Sequence, residues 1–96
     1  MLKIFGHLYE VKYRDMSTEE YHGRAVFTKG VIEIDSSINS SRQEETLLHE
    51  TLHHVSNLLC LGMKEELVHR LAVGLHAIIV DNPEVFSLDL PKEEIK

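Results

Sequence analysis

The sequence predicts an α+β fold: a small three-stranded antiparallel β-sheet followed by two helices. Two observations indicate this class. The first 35 residues contain short segments of alternating apolar and polar residues, and glycines interrupt them at Gly6 and Gly30. From about residue 42 to Pro83, apolar residues instead recur at spacings of three and four, which is typical of amphipathic helices. We expect the apolar faces of the sheet and the helices to share one core.

The strands are predicted in the N-terminal third. Residues 2–13 alternate, but their phase shifts after Gly6, so we expect one strand, or two short ones, bent at that glycine. Residues 23–27 and 31–34 flank Thr28-Lys29-Gly30, which predicts a hairpin in which Gly30 is free to take a positive φ.

The first helix is predicted from about Arg42 to about Leu59. Ser41-Arg42-Gln43-Glu44 fits the S-x-x-E capping box, and an apolar stripe follows at helical spacing, formed by Leu48, Leu52, Val55 and Leu59. The second helix is predicted from Glu65 to Val80 and ends at Asn82-Pro83, because proline disfavours helical geometry in the residue before it. Residues 84–96 are expected to form a loosely packed tail.

The size of the chain favours a single domain that spans residues 1–96. Its composition and charge argue against nucleic acid and membrane as partners. With 43% hydrophobic residues, the chain can bury a small core that a bound metal would stabilise further. The net charge is −6 and the ten Lys and Arg are scattered, which argues against nucleic-acid binding. Since the chain lacks a long apolar run and a signal-peptide pattern, we expect a cytoplasmic protein without a membrane partner. Cys60, the single cysteine, is interpreted as a small core residue.

The most informative motif is H-E-x-x-H, formed by His49, Glu50 and His53. On a helix, positions i and i+4 lie about 40° apart, so both imidazoles can reach one metal while the glutamate leans over the open coordination position. The motif therefore predicts a zinc site with Glu50 as the catalytic base. The alternative is a pair of surface histidines on an amphipathic helix, in a chain that contains 7 His.

A catalytic zinc site usually takes three protein ligands, so the two histidines need a partner. The second helix offers Glu65, Glu66 and His69. Glu65 is preferred because it lies beside the apolar stripe that faces the first helix. A tight hairpin at Gly62 would favour His69 instead, whereas a wider connection or a steep helix crossing would bring Glu65 within reach.

Further short segments between residues 4 and 83 accompany the motif. They are Ile4-x-Gly6, Tyr9-x-Val11, Gly23, Ile32-x-Ile34, Thr46-Leu47-Leu48-His49-Glu50-x-x-His53, Glu65-x-x-Val68-x-x-Leu71-Ala72-x-Gly74-Leu75 and Asp81-Asn82-Pro83. In these segments the chain resembles the minigluzincins, small gluzincin-type metallopeptidases, and among them short proteins from phages and bacteria. The resemblance implies a Zn²⁺-binding core of sheet, active-site helix and glutamate-bearing helix, in which His49, His53 and Glu65 bind the metal and Glu50 is the general base.

The chain departs from the family pattern at one position. The second helix of the family often reads E-x-x-x-D, and its aspartate supports a ligating histidine from the outer shell. Here that position is His69. A neutral imidazole there could accept a hydrogen bond, or could replace Glu65 on the metal.

These features predict a zinc-dependent metallopeptidase-like protein that acts on a peptide or protein substrate held along an edge strand. Tyr21, His22 and His76 are the candidates for a hydrogen-bond donor to the oxyanion. His7 and His54 are expected to be solvated or half-buried. Because the chain is small, activity could depend on a homodimer or a regulatory protein partner. The alternatives are a non-catalytic zinc-stabilised interaction module, which a fourth ligand such as His69 would favour, and a metal-free helical adaptor.

Overall fold

The structure is a computed structural model that describes residues 1–86. Its α+β class agrees with the prediction. The elements, in chain order, are β1 (Leu2–Ile4), β2 (His7–Arg14), β3 (Gly23–Val26), a 3₁₀ turn (Phe27–Lys29), β4 (Val31–Asp35), α1 (Ser40–Leu58), α2 (Glu65–Asp81) and the short α3 (Pro83–Phe86). No helix within this range is long and apolar enough to cross a membrane.

The sheet is mixed and has four strands in the order β1-β2-β4-β3, so the predicted three-stranded antiparallel sheet was wrong. β2 and β4 pair in parallel, with Glu10 opposite Val31 and Arg14 opposite Asp35. The physical reason is the connection over residues 15–22, which carries the chain past the position of β4 to the far edge. β3 then runs back antiparallel to β4, which inserts between β2 and β3. Apolar alternation fixes which face of a strand is buried but not the direction of its neighbour.

The two predicted turns are present. Phe5 and Gly6 both take positive φ, 49° and 83°, and the bend predicted at Gly6 is a tight hairpin that joins the short β1 to the longer β2. Gly30 has a φ of 65° and lies between the 3₁₀ turn and β4, as the hairpin signal indicated.

The core lies between one face of the sheet and α1. Buried side chains from three strands form its centre, and half-buried residues of the sheet and of α1 pack around them: Ile4, Tyr9, Ile32 and Ile34, surrounded by Leu2, Val11, Ala25, Phe27, Leu47 and Val55. α2 packs against α1 through its buried Val68 and Ala72. α1 thus contacts the sheet through β3 and β4, and also contacts α2, and this arrangement fixes its orientation.

The start of α1 differs from the predicted capping box. Asn39 is the N-cap, and its side-chain oxygen accepts a hydrogen bond from the backbone N–H of Arg42 at 2.9 Å. The helix therefore begins at Ser40, and Ser41 lies inside its first turn. Asparagine is among the best N-cap residues, and here the extended backbone at Asn39 places its side chain over the free N–H groups.

The end of α1 overturns the prediction for Cys60, which is exposed and is not a core residue. The backbone N–H of Leu61 donates to the carbonyl of Ser56 at 2.9 Å, which closes the helix and puts Cys60 in the left-handed region at a φ of 55°. The side chain of Leu59, the last of the predicted stripe, is exposed for the same reason. Of the predicted tail, residues 84–86 belong to α3 and residues 87–96 lie outside the described part of the chain.

Candidate metal centre

His49 and His53 lie one turn apart on α1 and are half-buried on the side that faces α2. Their Nε2 atoms are 3.1 Å apart, so both rings point to the same place. This follows from the i, i+4 spacing of the motif on a regular helix. The pair therefore presents two imidazole nitrogens to a single point in space.

Glu65, the first residue of α2, completes the group. Its Oε1 atom is 2.7 Å from Nε2 of His53 and its Oε2 atom is 2.9 Å from Nε2 of His49. The ligand atoms of the three residues all lie within 4.8 Å of one another, so His49, His53 and Glu65 could hold a metal ion. Residues 59–64 form a connection wide enough for the start of α2 to reach the histidines.

The two other candidates for third ligand stay outside the group. Glu66 is exposed and pairs instead with Arg70, at 2.9 Å. His69 lies near the group, with its ring 6.0 Å from that of His49 between centroids, but it is not among the residues whose ligand atoms converge. Within residues 1–86 the group thus has three protein donors.

The donor set suits a divalent transition metal. A metal ligand must be a neutral imidazole or an ionised carboxylate, and burial lowers the pKa of His49, which favours the neutral ring. Zinc and ferrous iron both accept two imidazoles and one carboxylate. The residues present therefore fit a metal with a coordination position left for a small molecule.

Glu50 lies beside the group but does not belong to it. Its side chain is half-buried, and burial raises the pKa of its carboxyl above the ordinary value of 4.5. Two concavities of about 680 and 530 Å³ meet here, and both are lined by Ala25, Glu50 and His53. A carboxylate at this junction can exchange a proton with a molecule bound in either concavity.

Gly23 brings the edge strand β3 close to this junction. A Cβ atom at this position would overlap Cγ2 of Thr46 and would lie 3.2 Å from the carbonyl oxygen of Glu33 and 3.6 Å from Cγ of Glu50. Only a residue without a side chain leaves room for β3 to approach α1 this closely. The sequence pattern predicts Gly23 as the start of a strand but does not predict this close contact.

His22 and Tyr21 line the smaller concavity together with the candidate metal-binding group. The position of His22 is set by Asp35, whose Oδ2 atom is 3.2 Å from its Nδ1 atom. Asp35 is fully buried and accepts hydrogen bonds from the hydroxyl of Ser37 and from the backbone N–H of Met16, which hold the pKa of its carboxyl well below its usual range. His76, the third oxyanion candidate, instead contacts Glu44 on α1 at 3.1 Å.

His54 contradicts the prediction of a solvated or half-buried ring, because only 4% of its surface is exposed. It shares a hydrogen bond with the hydroxyl of Tyr9 and stacks on Phe27 at 4.3 Å between centroids. Burial lowers the pKa of its imidazole. His54 lies about 100° round the helix from His53 and on the same face as Leu47. Its spacing from Leu47 is the sequence signal that could have predicted its burial. His7, in contrast, is exposed as predicted.

Comparisons of the chain with protein-family models, with curated proteins and with solved structures gave no match. The resemblance to the minigluzincins therefore depends on the residues named above and stays a proposal. The convergence of His49, His53 and Glu65 is independent of that resemblance, because it follows from the positions of the three side chains.

Proposed function

We propose that this protein is a zinc-dependent metallopeptidase of the gluzincin type, with His49, His53 and Glu65 as metal ligands and Glu50 as general base. One observation carries the proposal. Three ligand atoms converge on one point, while the carboxyl of Glu50 stays outside the ligand set at the junction of two concavities. A hydrolase needs this division between residues that bind the metal and one that moves protons.

Each residue has a distinct role in the proposed reaction. Zinc bound by the three ligands would polarise the scissile carbonyl and lower the pKa of a water molecule at the open position. Glu50 accepts the proton of the attacking water and passes it to the leaving amine. Its partly buried carboxyl, with its raised pKa, binds that proton better than a solvated glutamate would.

The substrate class is a peptide or a protein segment in extended form. Strand β3 forms an edge of the sheet, and on its outer side it has no partner strand within residues 1–86. An extended peptide can add to such an edge through backbone hydrogen bonds. Because Gly23 and Ala25 of this strand lie next to the site, a peptide paired with β3 would run past Glu50.

The number of ligands favours a hydrolase over a non-catalytic zinc-stabilised module. A structural zinc site is normally closed by four protein ligands. Here three donors converge, and His69, the residue best placed to be a fourth, lies outside the group. A coordination position left open supports a catalytic role.

Metal content tests the ligand assignment. Elemental mass spectrometry of freshly purified protein should find about one zinc per chain in the wild type and in His69→Ala, and much less in His53→Ala and Glu65→Ala. His69→Ala is the matched control, since His69 neighbours the group without joining it. Stoichiometric zinc that survives in Glu65→Ala but is lost in His69→Ala would overturn Glu65 as the third ligand.

Glu50→Gln tests the reaction. The variant should keep its zinc and lose hydrolysis of a mixed peptide library by a factor of about 10²–10⁴, because the amide cannot accept the proton. Hydrolysis at the wild-type rate in Glu50→Gln would eliminate Glu50 as the base. Wild-type protein that holds zinc but cleaves no peptide would favour the non-catalytic module.

A further inference from the structure

Helix α2 carries apolar side chains around most of its surface, and only part of that surface is covered within residues 1–86. Val68 and Ala72 are fully buried against α1. On another face Leu67 and Ile78 are 48% and 49% exposed, and Leu71 between them is 37% exposed. Helices that are apolar on most of their surface are normally buried on most of it, and a contiguous exposed apolar patch marks an interaction site.

The exposed residues follow the spacing of a coiled-coil seam. Leu67, Leu71, Gly74 and Ile78 are separated by four, three and four residues, so they lie in one row along α2. The same sequence spacing reaches Asp81, the last residue of α2, and Lys64, the N-cap residue just before the helix. We name these six positions the α2 seam. A row of this kind packs against the equivalent row of another helix.

The two ends of the α2 seam carry opposite charges. Lys64 and Asp81 are both exposed, and neither makes an ion pair within residues 1–86. Two parallel copies of the seam would place lysine against lysine and aspartate against aspartate. Two antiparallel copies place each Lys64 against the Asp81 of the other copy, because the two residues lie at equal distances from the middle of the seam. The charges therefore complement an antiparallel second copy of the same helix.

The shapes of the inner positions agree with this register. An antiparallel two-fold axis midway along the seam puts Leu67 of one copy opposite Ile78 of the other, and Leu71 opposite Gly74. The space beside Gly74 is open, since a Cβ placed there would have no neighbouring atom within 4 Å. The side chain of Leu71 can fill that space.

We propose that the α2 seam is a homodimer interface in which two copies of the chain pack α2 against α2 in antiparallel orientation. Glu65 lies about 150° round the helix from the middle of the seam, so the dimer leaves the metal centre accessible. The interface does not depend on the proposed function, because its residues differ from the ligands and from Glu50.

Sedimentation velocity of the full chain tests the interface. At about 100 µM, a dimer with a micromolar dissociation constant is almost fully formed. Leu71→Lys should raise the dissociation constant by about 100-fold or more, since it puts a charge at the centre of the seam. Val73→Lys is the matched control: Val73 is 41% exposed but lies away from the seam, so this variant should stay dimeric.

A charge exchange tests the orientation. Asp81→Lys should weaken the dimer by about 5-fold, because it faces Lys64 of the other copy, and Lys64→Asp in the same chain should restore the dimer. A double variant no tighter than Asp81→Lys would overturn the antiparallel arrangement. A monomeric wild type would overturn the interface. If the wild type is monomeric and Leu71→Lys unfolds at a lower midpoint than the wild type, the conclusion would be that the chain's own residues 87–96 cover this face.

Discussion

Tyr9 on β2 and His54 on α1 share a hydrogen bond between the phenol hydroxyl and Nε2, and this bond ties the sheet to α1 one residue away from His53. His54 has no second partner: its Nδ1 atom is buried without a hydrogen bond to any described residue. The Tyr9 hydroxyl is therefore the only polar contact that compensates the burial of this imidazole within residues 1–86.

Replacing Tyr9 with Phe should lower the free energy of unfolding by about 1–3 kcal/mol, because it leaves both ring nitrogens of His54 buried and unpaired. Tyr13→Phe is the matched control on the same strand, since Tyr13 is exposed and its loss of a hydroxyl should cost little. Urea unfolding followed by circular dichroism measures both. Equal stabilities of the two variants would show that the Tyr9–His54 bond contributes nothing.

The metal-free protein should lose stability as the pH falls through and below 6.5. Burial depresses the pKa of both His49 and His54 below their ordinary value of 6.5, so the unfolded chain binds protons that the folded chain does not. Stability linked to these groups is therefore fully present above 6.5 and decreases as the solution becomes more acidic. Urea midpoints in the presence of a chelator, from about pH 8 to about pH 5, test this.

His54→Phe separates the two histidines in that measurement. The phenyl ring keeps the apolar contacts but cannot bind a proton, so the variant should show a shallower dependence on pH than the wild type. A slope identical to that of the wild type would mean that His54 does not titrate with unfolding.

Gly23→Ala should destabilise the fold by about 1–3 kcal/mol, because the new methyl group overlaps Cγ2 of Thr46. Thr46→Ala in the same chain removes that methyl group and should restore part of the loss. Thermal unfolding of the two single variants and the double variant gives the coupling between them. If the losses simply add, the close contact between β3 and α1 is not what requires glycine here.

The N-cap of α1 can be tested with two neighbouring residues. Asn39→Ala should cost about 1 kcal/mol, because the backbone N–H of Arg42 loses its acceptor. Ser41→Ala should change the free energy of unfolding by less than about 0.5 kcal/mol, since Ser41 lies inside the helix. If Ser41→Ala lowered the free energy of unfolding more than Asn39→Ala, the N-cap would be Ser41, as the predicted capping box implies.

Zinc should raise the unfolding midpoint of the wild type, and a chelator should lower it. At a free zinc concentration of about 1,000 times the dissociation constant, the gain is about 4 kcal/mol. Glu65→Ala should lose most of this gain, whereas His69→Ala should keep it. Calorimetry with and without zinc measures the shift, and an unchanged wild-type midpoint would favour the metal-free adaptor.

The sequence predicted those features that depend on local spacing. The bend at Gly6 and the hairpin at Gly30 follow from turn residues, and the positions of His49 and His53 follow from helical periodicity. The pairing of β1 with β2 across Gly6 was not predicted. The position of Glu65 on α2 favours it over Glu66 and His69, and its carboxylate lies between the two histidines.

The features that the sequence could not predict depend on how distant segments meet. The parallel pairing of β2 with β4 depends on the path of residues 15–22, which no alternation pattern encodes. The burial of His54 depends on Tyr9, which comes from 45 residues earlier in the chain. Likewise, the role of Gly23 becomes visible only when β3 lies against Thr46.

The candidate metal-binding group and the surroundings of Glu50 come from different stretches of the chain. His49, His53 and Glu65 all lie within one helix–loop–helix segment, so bringing them together closes a short loop at small entropic cost. The concavities beside Glu50 are also lined by Gly23 and Ala25 of β3, which precedes the 3₁₀ turn and β4 in the chain. If the proposed function holds, a substitution that loosens the sheet would disorder the cleft beside Glu50 and leave metal affinity intact. In such a variant, bound metal would report an assembled helical pair and would say nothing about catalysis.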